Sequence, residues 1–281
     1  MTKRRDDLRT VAIHGFGLVA SALFLAPIVW AALASFRPAT DSGKAPLPPW
    51  SSTGFSLDNY LALQSFGAGI QNYALNSFTV ALGTVALTIL ASLLAGYSFS
   101  RFRFPFKNSL FLLIMTTMMV PFQSILTPLF VMLTKLGLQN SHLGLILVYT
   151  TLQLPFSVFM MRNAFDAVPI EIEEAARIDG ASVWTVLLRI MLPLVLPGIV
   201  SVAIFAFLNS WNEFLAALIF LTDEHNYTLP VMMTAVRAGR MGSVDWGALQ
   251  AGVTLMMLPC LLIFLLLQRF YIRGLTSGAV K

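Results

Sequence analysis

Charged residues are scarce in this sequence of 281 residues, where they make up 11% against 57% for hydrophobic residues. Soluble domains carry about 25% charged residues, so this composition excludes an ordinary soluble enzyme and indicates several membrane spans. Cysteine is almost absent as well. The one cysteine, Cys260, lies in an apolar run, which excludes a disulfide framework and a cysteine-based metal site. The three histidines show no metal-ligand spacing.

Motifs that would give the chain its own energy source or chemistry are also missing. There is no Gly-x4-Gly-Lys-[Ser/Thr] motif, so we predict no ATPase site in this chain. A membrane enzyme would need convergent catalytic side chains at one depth, and the apolar runs lack them. An ion-coupled secondary transporter would show inverted repeats and paired intramembrane acids. The sequence has one acid at depth, Glu213, and no repeat, but this class of transporter remains the alternative.

Long apolar runs are what the sequence does contain. A helix needs about 20 apolar residues to cross the hydrocarbon core. Six runs approach or exceed that length, the fifth with polar interruptions: 11–35, 73–97, 110–133, 143–161, 194–221 and 247–268. No loop between them is large enough to be a separate domain. We therefore predict an all-α membrane protein with six transmembrane helices in a single domain, 1–281.

Lysine and arginine are unevenly distributed over the loops between these runs. With the N-terminus inside, the outer loops hold only five of the 18 basic residues: Arg37, Lys44, Lys135, Arg237 and Arg240. Cytoplasmic loops carry the excess of basic residues in membrane proteins. Both termini and the loop 162–193 are therefore predicted to be cytoplasmic. Because loop charges that set orientation account for the net charge of +5, we expect no nucleic-acid partner.

The loop 162–193 is unusually polar for a segment between two apolar runs, and its pattern predicts two short helices around a glycine. A proline followed by three glutamates suits a first helical turn. Glu173 and Arg177 have the i, i+4 spacing of a favourable ion pair. Gly180 is expected to end the first helix in a left-handed cap, and Ser182 to cap the second. The result would be a short, rigid and exposed helix pair.

The same loop carries a pattern that resembles a known family. Seven fixed positions match the EAA loop of ABC importer permeases: Glu174, Ala175, Ala176, Gly180, Ile190, Leu192 and Pro193. At about one in ten per position, a chance match has a probability on the order of 10⁻⁷ per starting point. The location, before the penultimate apolar run, also agrees with the family.

Three further segments resemble the carbohydrate-type branch of these permeases, similar to the second maltose-permease subunit. They are "SRFRFPFK" at 100–107, "NSWNEFLAALIFL" at 209–221 and "QRFYIRGLTSGAVK" at 268–281. The resemblance covers nearly the whole chain and implies the architecture of a type I ABC importer permease. It leaves the solute open among oligosaccharides, monosaccharides, polyols and glycerophosphodiesters.

The resemblance also implies partners and a coupling site. Such permeases lie in the bacterial or archaeal cytoplasmic membrane, pair with a second permease subunit, here as a heterodimer, and receive a polar solute from an extracytoplasmic solute-binding protein. Two ATP-binding cassette subunits bind ATP and Mg²⁺, so this chain would hold no cofactor itself. The residues implied to couple to the ATPase are Glu174, Ala175, Ala176, Arg177, Asp179 and Gly180.

Polar residues interrupt the fifth apolar run. Polar groups at membrane depth are costly and usually face the bundle or a water-filled path. The spacing of Asn209, Asn212 and Glu213 (i, i+3, i+4) predicts that they share one helical face, with Trp211 nearby. This face would offer hydrogen bonds and an aromatic surface to a hydroxylated solute, or it would form contacts at the subunit interface. The sequence leaves both readings open.

Overall fold

A computed structural model describes residues 2–41, 47–51, 54–238 and 244–277 of the chain. Side chains are described for residue 10 and from 13 to 268 within these ranges, so most of the family-like tail segment 268–281 lies outside the described side chains. Within the described part the regular structure is entirely helical, which confirms the predicted all-α fold. The helices are α1 (Thr2–Ser35), α2 (Asp58–Gln64), α3 (Ile70–Arg101), α4 (Lys107–Thr116), α5 (Phe122–Lys135), α6 (His142–Asp166), α7 (Ile170–Ile178), α8 (Val183–Leu194), α9 (Leu196–Asn212), α10 (Leu215–Phe220), α11 (Leu229–Ala238) and α12 (Trp246–Ser277).

Within the described residues, four stretches of helix are long and apolar enough to cross a membrane: Ile13–Ser35 in α1, the whole of α3, the whole of α6, and Trp246–Gln268 in α12. They overlap the first, second, fourth and sixth predicted runs. Helices α3 and α6 continue past their apolar runs and end at Arg101 and Asp166. These extensions carry charged side chains beyond the apolar part of the bundle.

The third predicted run, 110–133, is a bent pair of helices rather than one straight helix. The helical segments on either side of the break differ in direction by 101°. Val120 is extended (φ −78°, ψ 119°) and Pro121 stands immediately before α5. A residue that precedes proline is driven out of the helical conformation by the proline ring, which explains the break.

The fifth predicted run, 194–221, is broken twice. Helices α8 and α9 meet at Val195 with a bend of 76°. Glu213 is extended (φ −70°, ψ 132°) and separates α9 from α10. The polar interruption noted in the sequence therefore corresponds to a real discontinuity of the helix.

Residues 71–231 and 260–281 form one of two compact units of the chain. In this unit α3 crosses α6 very closely, because a Cβ atom on Gly96 would lie 2.6 Å from the Met161 Cβ atom and 2.9 Å from the Arg162 nitrogen. The crossing is little more than one turn from the ends of both helices. It brings Arg101 next to the last carbonyl groups of α6.

Apolar clusters fill the part of this unit that the structure describes. One joins α3, α5, α6 and α10 and includes Tyr149 and Phe220. Another joins α3, α6, α8 and α9 and includes Tyr97, Phe165 and Met191. The second cluster buries the inner side of α8 and so determines which side of that helix remains exposed.

Polar side chains hold the segment between α10 and α11 at the N-terminal ends of α3 and α6. The Asn76 amide donates to the carbonyl oxygens of His225 (2.7 Å) and Tyr227 (3.0 Å). The Asn140 side-chain oxygen accepts hydrogen bonds from the backbone N–H groups of Thr222 (2.9 Å) and Asp223 (3.0 Å). The loop that follows the broken fifth run is thus fixed by buried and half-buried amides.

Residues 1–70 and 232–259 form the other unit. Its packing is organised around Asn59 of α2, whose amide donates to the carbonyl oxygens of Ser35 and Arg37, both at 2.8 Å. A Cβ atom on Gly247 would lie 2.3 Å from the Asn59 side-chain oxygen, so α12 begins directly against α2. None of the residues in the most apolar stretch of α1 is buried.

Candidate functional site

The helix pair α7–α8 and the turn between them, residues 170–194, form the candidate coupling site, which we call the elbow. Helix α7 ends at Ile178, and Gly180, two residues further on, has a left-handed conformation with φ +83°. The Ala181 N–H donates to the Ala176 carbonyl at 3.0 Å, and the Gly180 N–H to the Arg177 carbonyl at 3.0 Å. These two bonds are the Schellman pattern that ends a helix at glycine. The predicted glycine cap is confirmed.

Helix α8 begins with a side-chain cap. The Ser182 hydroxyl oxygen accepts a hydrogen bond from the Thr185 N–H at 3.2 Å, as the sequence predicted. The next turns, Val186–Met191, are π-helical and bury Val186, Leu187 and Met191 in the core. The turn of the elbow is therefore capped on both sides, and its geometry is fixed by local hydrogen bonds.

Glu173 fastens the elbow to the bundle through a buried ion pair with Arg101, which we call the Arg101–Glu173 joint. The Arg101 Nε atom lies 2.7 Å from Glu173 Oε1, and the two side chains are only 8% and 2% exposed. The Tyr97 hydroxyl donates to Glu173 Oε2 at 3.3 Å. The predicted pair with Arg177 is also present, at 3.4 Å. Glu173 thus holds three side chains from two helices.

Arg101 has a second set of partners at the end of α6. Its Nη2 atom donates to the carbonyl oxygens of Phe165 at 2.8 Å and Val168 at 2.7 Å. The last carbonyl groups of a helix lack partners within the helix, and a cation there is also favoured by the helix dipole. Arg101 therefore ends α3, caps α6 and pairs with α7.

Sequence reasoning missed Arg101 and Tyr97 as parts of this site. Arg101 entered only as one basic residue of the loop 100–107, and Glu173 only as a partner of Arg177. The signal in the sequence was that an amphipathic helix with two adjacent glutamates must turn one of them toward its buried side. That signal indicates a buried partner but does not identify it.

The outer surface of the elbow is exposed and mixed in character. Of the expected coupling residues, Glu174, Ala175, Arg177, Asp179 and Gly180 are exposed and Ala176 is half-buried. Large apolar side chains lie beside them: Ile178 is 86% exposed, Trp184 62% and Leu188 53%. Exposed apolar side chains rimmed by charges mark protein interaction sites. The outer surface of the elbow therefore has the character of a protein interaction site, while the Arg101–Glu173 joint holds its inner side to the bundle.

Glu213, at the break between α9 and α10, acts as a helix cap. Its carboxylate accepts hydrogen bonds from the Ala216 N–H (3.0 and 3.1 Å to the two oxygens) and from the Ala217 N–H (3.3 Å). The Tyr149 hydroxyl also donates to it. Glu213 therefore caps α10 from an extended position after α9 has ended. The predicted common face with Asn209 and Asn212 stays a prediction for Glu213, whose carboxylate is bound to the start of α10 in this structure.

Trp211 is a core residue. Its ring is 1% exposed and packs on Phe207 (ring centroids 5.5 Å apart, 14° between planes) and Phe78 (4.7 Å). The predicted aromatic surface for a solute is therefore not available at Trp211. The reason is that the aromatic residues of α9 and α3 face each other across the helix contact.

Asn209 and Asn212 remain as exposed polar groups of α9. The Asn209 amide donates to the Gln153 side-chain oxygen of α6 at 3.1 Å. The Asn212 amide donates to the Leu208 carbonyl at 2.7 Å. The structure thus adds the half-buried Gln153, which the sequence pattern did not indicate, to the amide groups near the break.

Comparison with known proteins places the whole arrangement in a family. A family model for the inner membrane component of binding-protein-dependent transport systems matches residues 87–277, which include the elbow, the break at Glu213 and most of the bundle. The chain belongs to this family of transport-system inner membrane components.

Individual relatives agree with this assignment. The chain is 34% identical to the probable ABC transporter permease YurM of Bacillus subtilis, over 91% of this chain and 83% of that protein. It is 31% identical to NgcG, a diacetylchitobiose uptake system permease of Streptomyces coelicolor, over 98% of this chain and 91% of that protein. The family resemblance inferred from the sequence is therefore confirmed.

The fold is also similar to that of a solved structure. The structure of this chain matches, with a TM-score of 0.80, a chain of a bacterial ABC transporter involved in the import of the acidic polysaccharide alginate. The match covers 95% of this chain and 98% of that chain at 18% identity. The chain therefore has the fold of an ABC importer permease.

Proposed function

We propose that this chain is the membrane-spanning subunit of an ATP-driven importer, which moves a sugar or related polar solute delivered by an extracytoplasmic solute-binding protein. The observation that carries the proposal is the elbow. It is fixed to the bundle by the buried Arg101–Glu173 joint and exposes apolar and charged side chains on its other side. A rigid, exposed element of this kind fits a partner that moves it.

The proposed partner at the elbow is one of two ATP-binding cassette subunits, which bind ATP and Mg²⁺. The sequence itself has no phosphate-binding Gly-x4-Gly-Lys-[Ser/Thr] motif. ATP binding closes the pair of ATPase subunits and displaces the elbow, and the bundle then alternates between outward and inward access by rigid-body rotation. The coupling residues are those predicted from the sequence: Glu174, Ala175, Ala176, Arg177, Asp179 and Gly180.

The proposed topology has six spans in a bacterial or archaeal inner membrane, with both termini and the elbow in the cytoplasm. The distribution of basic residues supports this orientation. The four long helices become six spans when each of the two bent helix pairs is counted as one. A second permease subunit completes the pore, and we propose a heterodimer.

The proposed solute is a carbohydrate or a chemically similar polar molecule. The relative NgcG is named for diacetylchitobiose uptake, and the structural relative belongs to an alginate importer. The exposed amides of Asn209 and Asn212 and the half-buried amide of Gln153 provide hydrogen-bond groups of the kind that bind hydroxyl groups. The same amides would also suit the interface with the second permease subunit.

Reconstitution tests this function directly. The chain, the second permease and the ATPase subunits of the same organism are purified together and placed in liposomes with the solute-binding protein. Uptake of labelled diacetylchitobiose and of alginate oligosaccharides is measured with internal ATP or with an imposed proton gradient. We expect ATPase co-purification and uptake that requires ATP. Uptake of either sugar driven by the gradient without ATPase would instead establish an ion-coupled secondary transporter.

A further inference from the structure

We propose that Arg101 is a positioning residue that joins the elbow rigidly to the transmembrane helices, so that a displacement of α7 moves α3 and α6 with it. The inference rests on the proposed function and deepens it, because it names the contact through which motion of the ATPase enters the bundle. It concerns a residue outside the coupling residues identified from the sequence.

The first argument is the number of elements that meet at one guanidinium group. Arg101 is the last residue of α3. Its Nε atom binds Glu173 of α7 at 2.7 Å, and its Nη2 atom binds the carbonyl oxygens of Phe165 (2.8 Å) and Val168 (2.7 Å) at the end of α6. Because the guanidinium group is planar and rigid, these bonds fix direction as well as distance. The ends of three helices are held in one geometry.

The second argument is burial. The Glu173 side chain is 2% exposed and the Arg101 side chain 8%, so water cannot easily replace either partner. Separating a buried charged pair leaves both groups without solvation, which makes the pair resist separation. The Tyr97 hydroxyl donates to the second carboxylate oxygen at 3.3 Å and restrains it further. Motion of α7 is therefore more easily accommodated elsewhere than at this joint.

The third argument is the contrast with the other side of the elbow. Helix α8 contains π-helical turns at Val186–Met191 and then bends by 76° into α9. π-Helical turns and bends of this kind interrupt the regular ladder of hydrogen bonds and are common where helices change shape. The α8–α9 connection is suited to flex, whereas the Arg101–Glu173 joint is suited to transmit a displacement.

A distance measurement in the assembled complex tests the proposal. The one native cysteine is removed by Cys260→Ser, and cysteines that carry spin labels are introduced at Ser98 of α3 and Ile172 of α7. The distance between the two labels is measured by pulsed electron paramagnetic resonance. The two states compared are nucleotide-free and ATP-bound, the latter with ATPase subunits that cannot hydrolyse ATP. We expect the same distance distribution in both states, because α7 and α3 move together. A shift of this distance on ATP binding would overturn the inference. This experiment leaves Arg101 and Glu173 unmodified.

Variants of the joint give a second, independent readout. Arg101→Lys keeps the charge, but one ammonium group cannot reproduce the planar fork, and Glu173→Gln removes the charge of the carboxylate. We expect both to retain ATPase co-purification, to make the distance depend on nucleotide, and to reduce stimulation of ATP hydrolysis by the solute-binding protein about tenfold. Retention of both a fixed distance and full stimulation in the two variants would also contradict the proposal.

Matched controls use exposed residues of the same segments. Arg103→Lys changes an exposed arginine two positions from Arg101, and Glu171→Gln changes an exposed glutamate two positions from Glu173. Both should leave the distance and the ATPase stimulation unchanged. Failure of the proposed function would look different, because the unmodified chain would then retain no ATPase at all.

Discussion

Glu173 and Glu174 are adjacent glutamates that α7 places in opposite environments. The Glu173 carboxylate is buried against Arg101, whereas the Glu174 side chain is exposed on the outer surface of the elbow. Successive residues of an α-helix are separated by about 100° around its axis, since a turn takes about 3.6 residues. One carboxylate can therefore anchor the helix while its neighbour faces a partner.

Reversing the exposed charge should weaken the contact with the ATPase. Glu174→Lys places a cation where a basic group of the partner is expected, and like charges brought together at an interface cost several kcal/mol. We expect loss of ATPase co-purification and of uptake, with normal membrane insertion. The control Glu171→Lys, at another exposed position of α7, should bind the ATPase normally. Equal binding by Glu174→Lys and the unmodified chain would refute a role for Glu174 in coupling.

Transport should survive the replacement of Gly180 only by a residue that adopts the left-handed backbone conformation. Its φ of +83° costs a side chain roughly 1–2 kcal/mol, and no atom lies within 4 Å of an added Cβ atom. The penalty of Gly180→Val would therefore come from backbone strain and not from a clash. We expect Gly180→Val to abolish uptake and Gly180→Asn, which tolerates the left-handed region, to preserve much of it. Transport assays on the two variants, with insertion checked separately, decide the point.

Trp184 should contribute strongly to the affinity for the ATPase. Its side chain is 62% exposed on the elbow, and buried tryptophans at interfaces often contribute about 2 kcal/mol or more when truncated. Trp184→Ala should therefore raise the dissociation constant about 30-fold. Trp50→Ala, which truncates a tryptophan 58% exposed in the loop after α1, serves as the control. A similar affinity for both variants would place the ATPase contact elsewhere.

The carboxylate of Glu213 should be needed for transport but not for assembly. Glu213→Gln leaves one acceptor oxygen for the Ala216 and Ala217 N–H groups and the Tyr149 hydroxyl. The loss of such buried bonds costs about 1–3 kcal/mol. We expect reduced uptake with an intact complex and a smaller effect for Tyr149→Phe, which removes only one of the bonds. Uptake at the normal rate in Glu213→Gln would show that the cap of α10 is dispensable.

A change at Asn209 should alter the KM for the solute and leave the association with the second permease subunit intact. Its amide is exposed and bonds to Gln153 at 3.1 Å. If it lies on the solute path, Asn209→Ala should raise the KM for sugar uptake about fivefold, the equivalent of one hydrogen bond of about 1 kcal/mol. Asn108→Ala, at an exposed asparagine of α4, provides the control. Dissociation of the two permease subunits with an unchanged KM would assign Asn209 to the subunit interface.

The parts of the elbow that sequence reasoning predicted correctly depend on neighbouring residues. The glycine cap at Gly180, the serine cap at Ser182 and the pair Glu173–Arg177 involve partners within a few positions. Such interactions follow from helix geometry, whatever surrounds the helix. The same reasoning missed that Glu213 caps α10, because a carboxylate in an apolar run can either continue a helix or cap a new one. The Tyr149 hydroxyl, which donates to this carboxylate in the structure, is 64 residues away in the sequence.

The sequence by itself determined the helical class, the apolar runs, the caps of the elbow and the resemblance to the family, since all of these are written in composition and short-range spacing. Only the tertiary structure decided that Glu173 faces inward to Arg101, that Trp211 is buried against Phe78, and that Glu213 caps a separate helix. The Arg101–Glu173 joint connects residues 72 positions apart, and their meeting depends on the close crossing of α3 and α6 at Gly96. Such a contact is a property of helix packing, which no local pattern specifies.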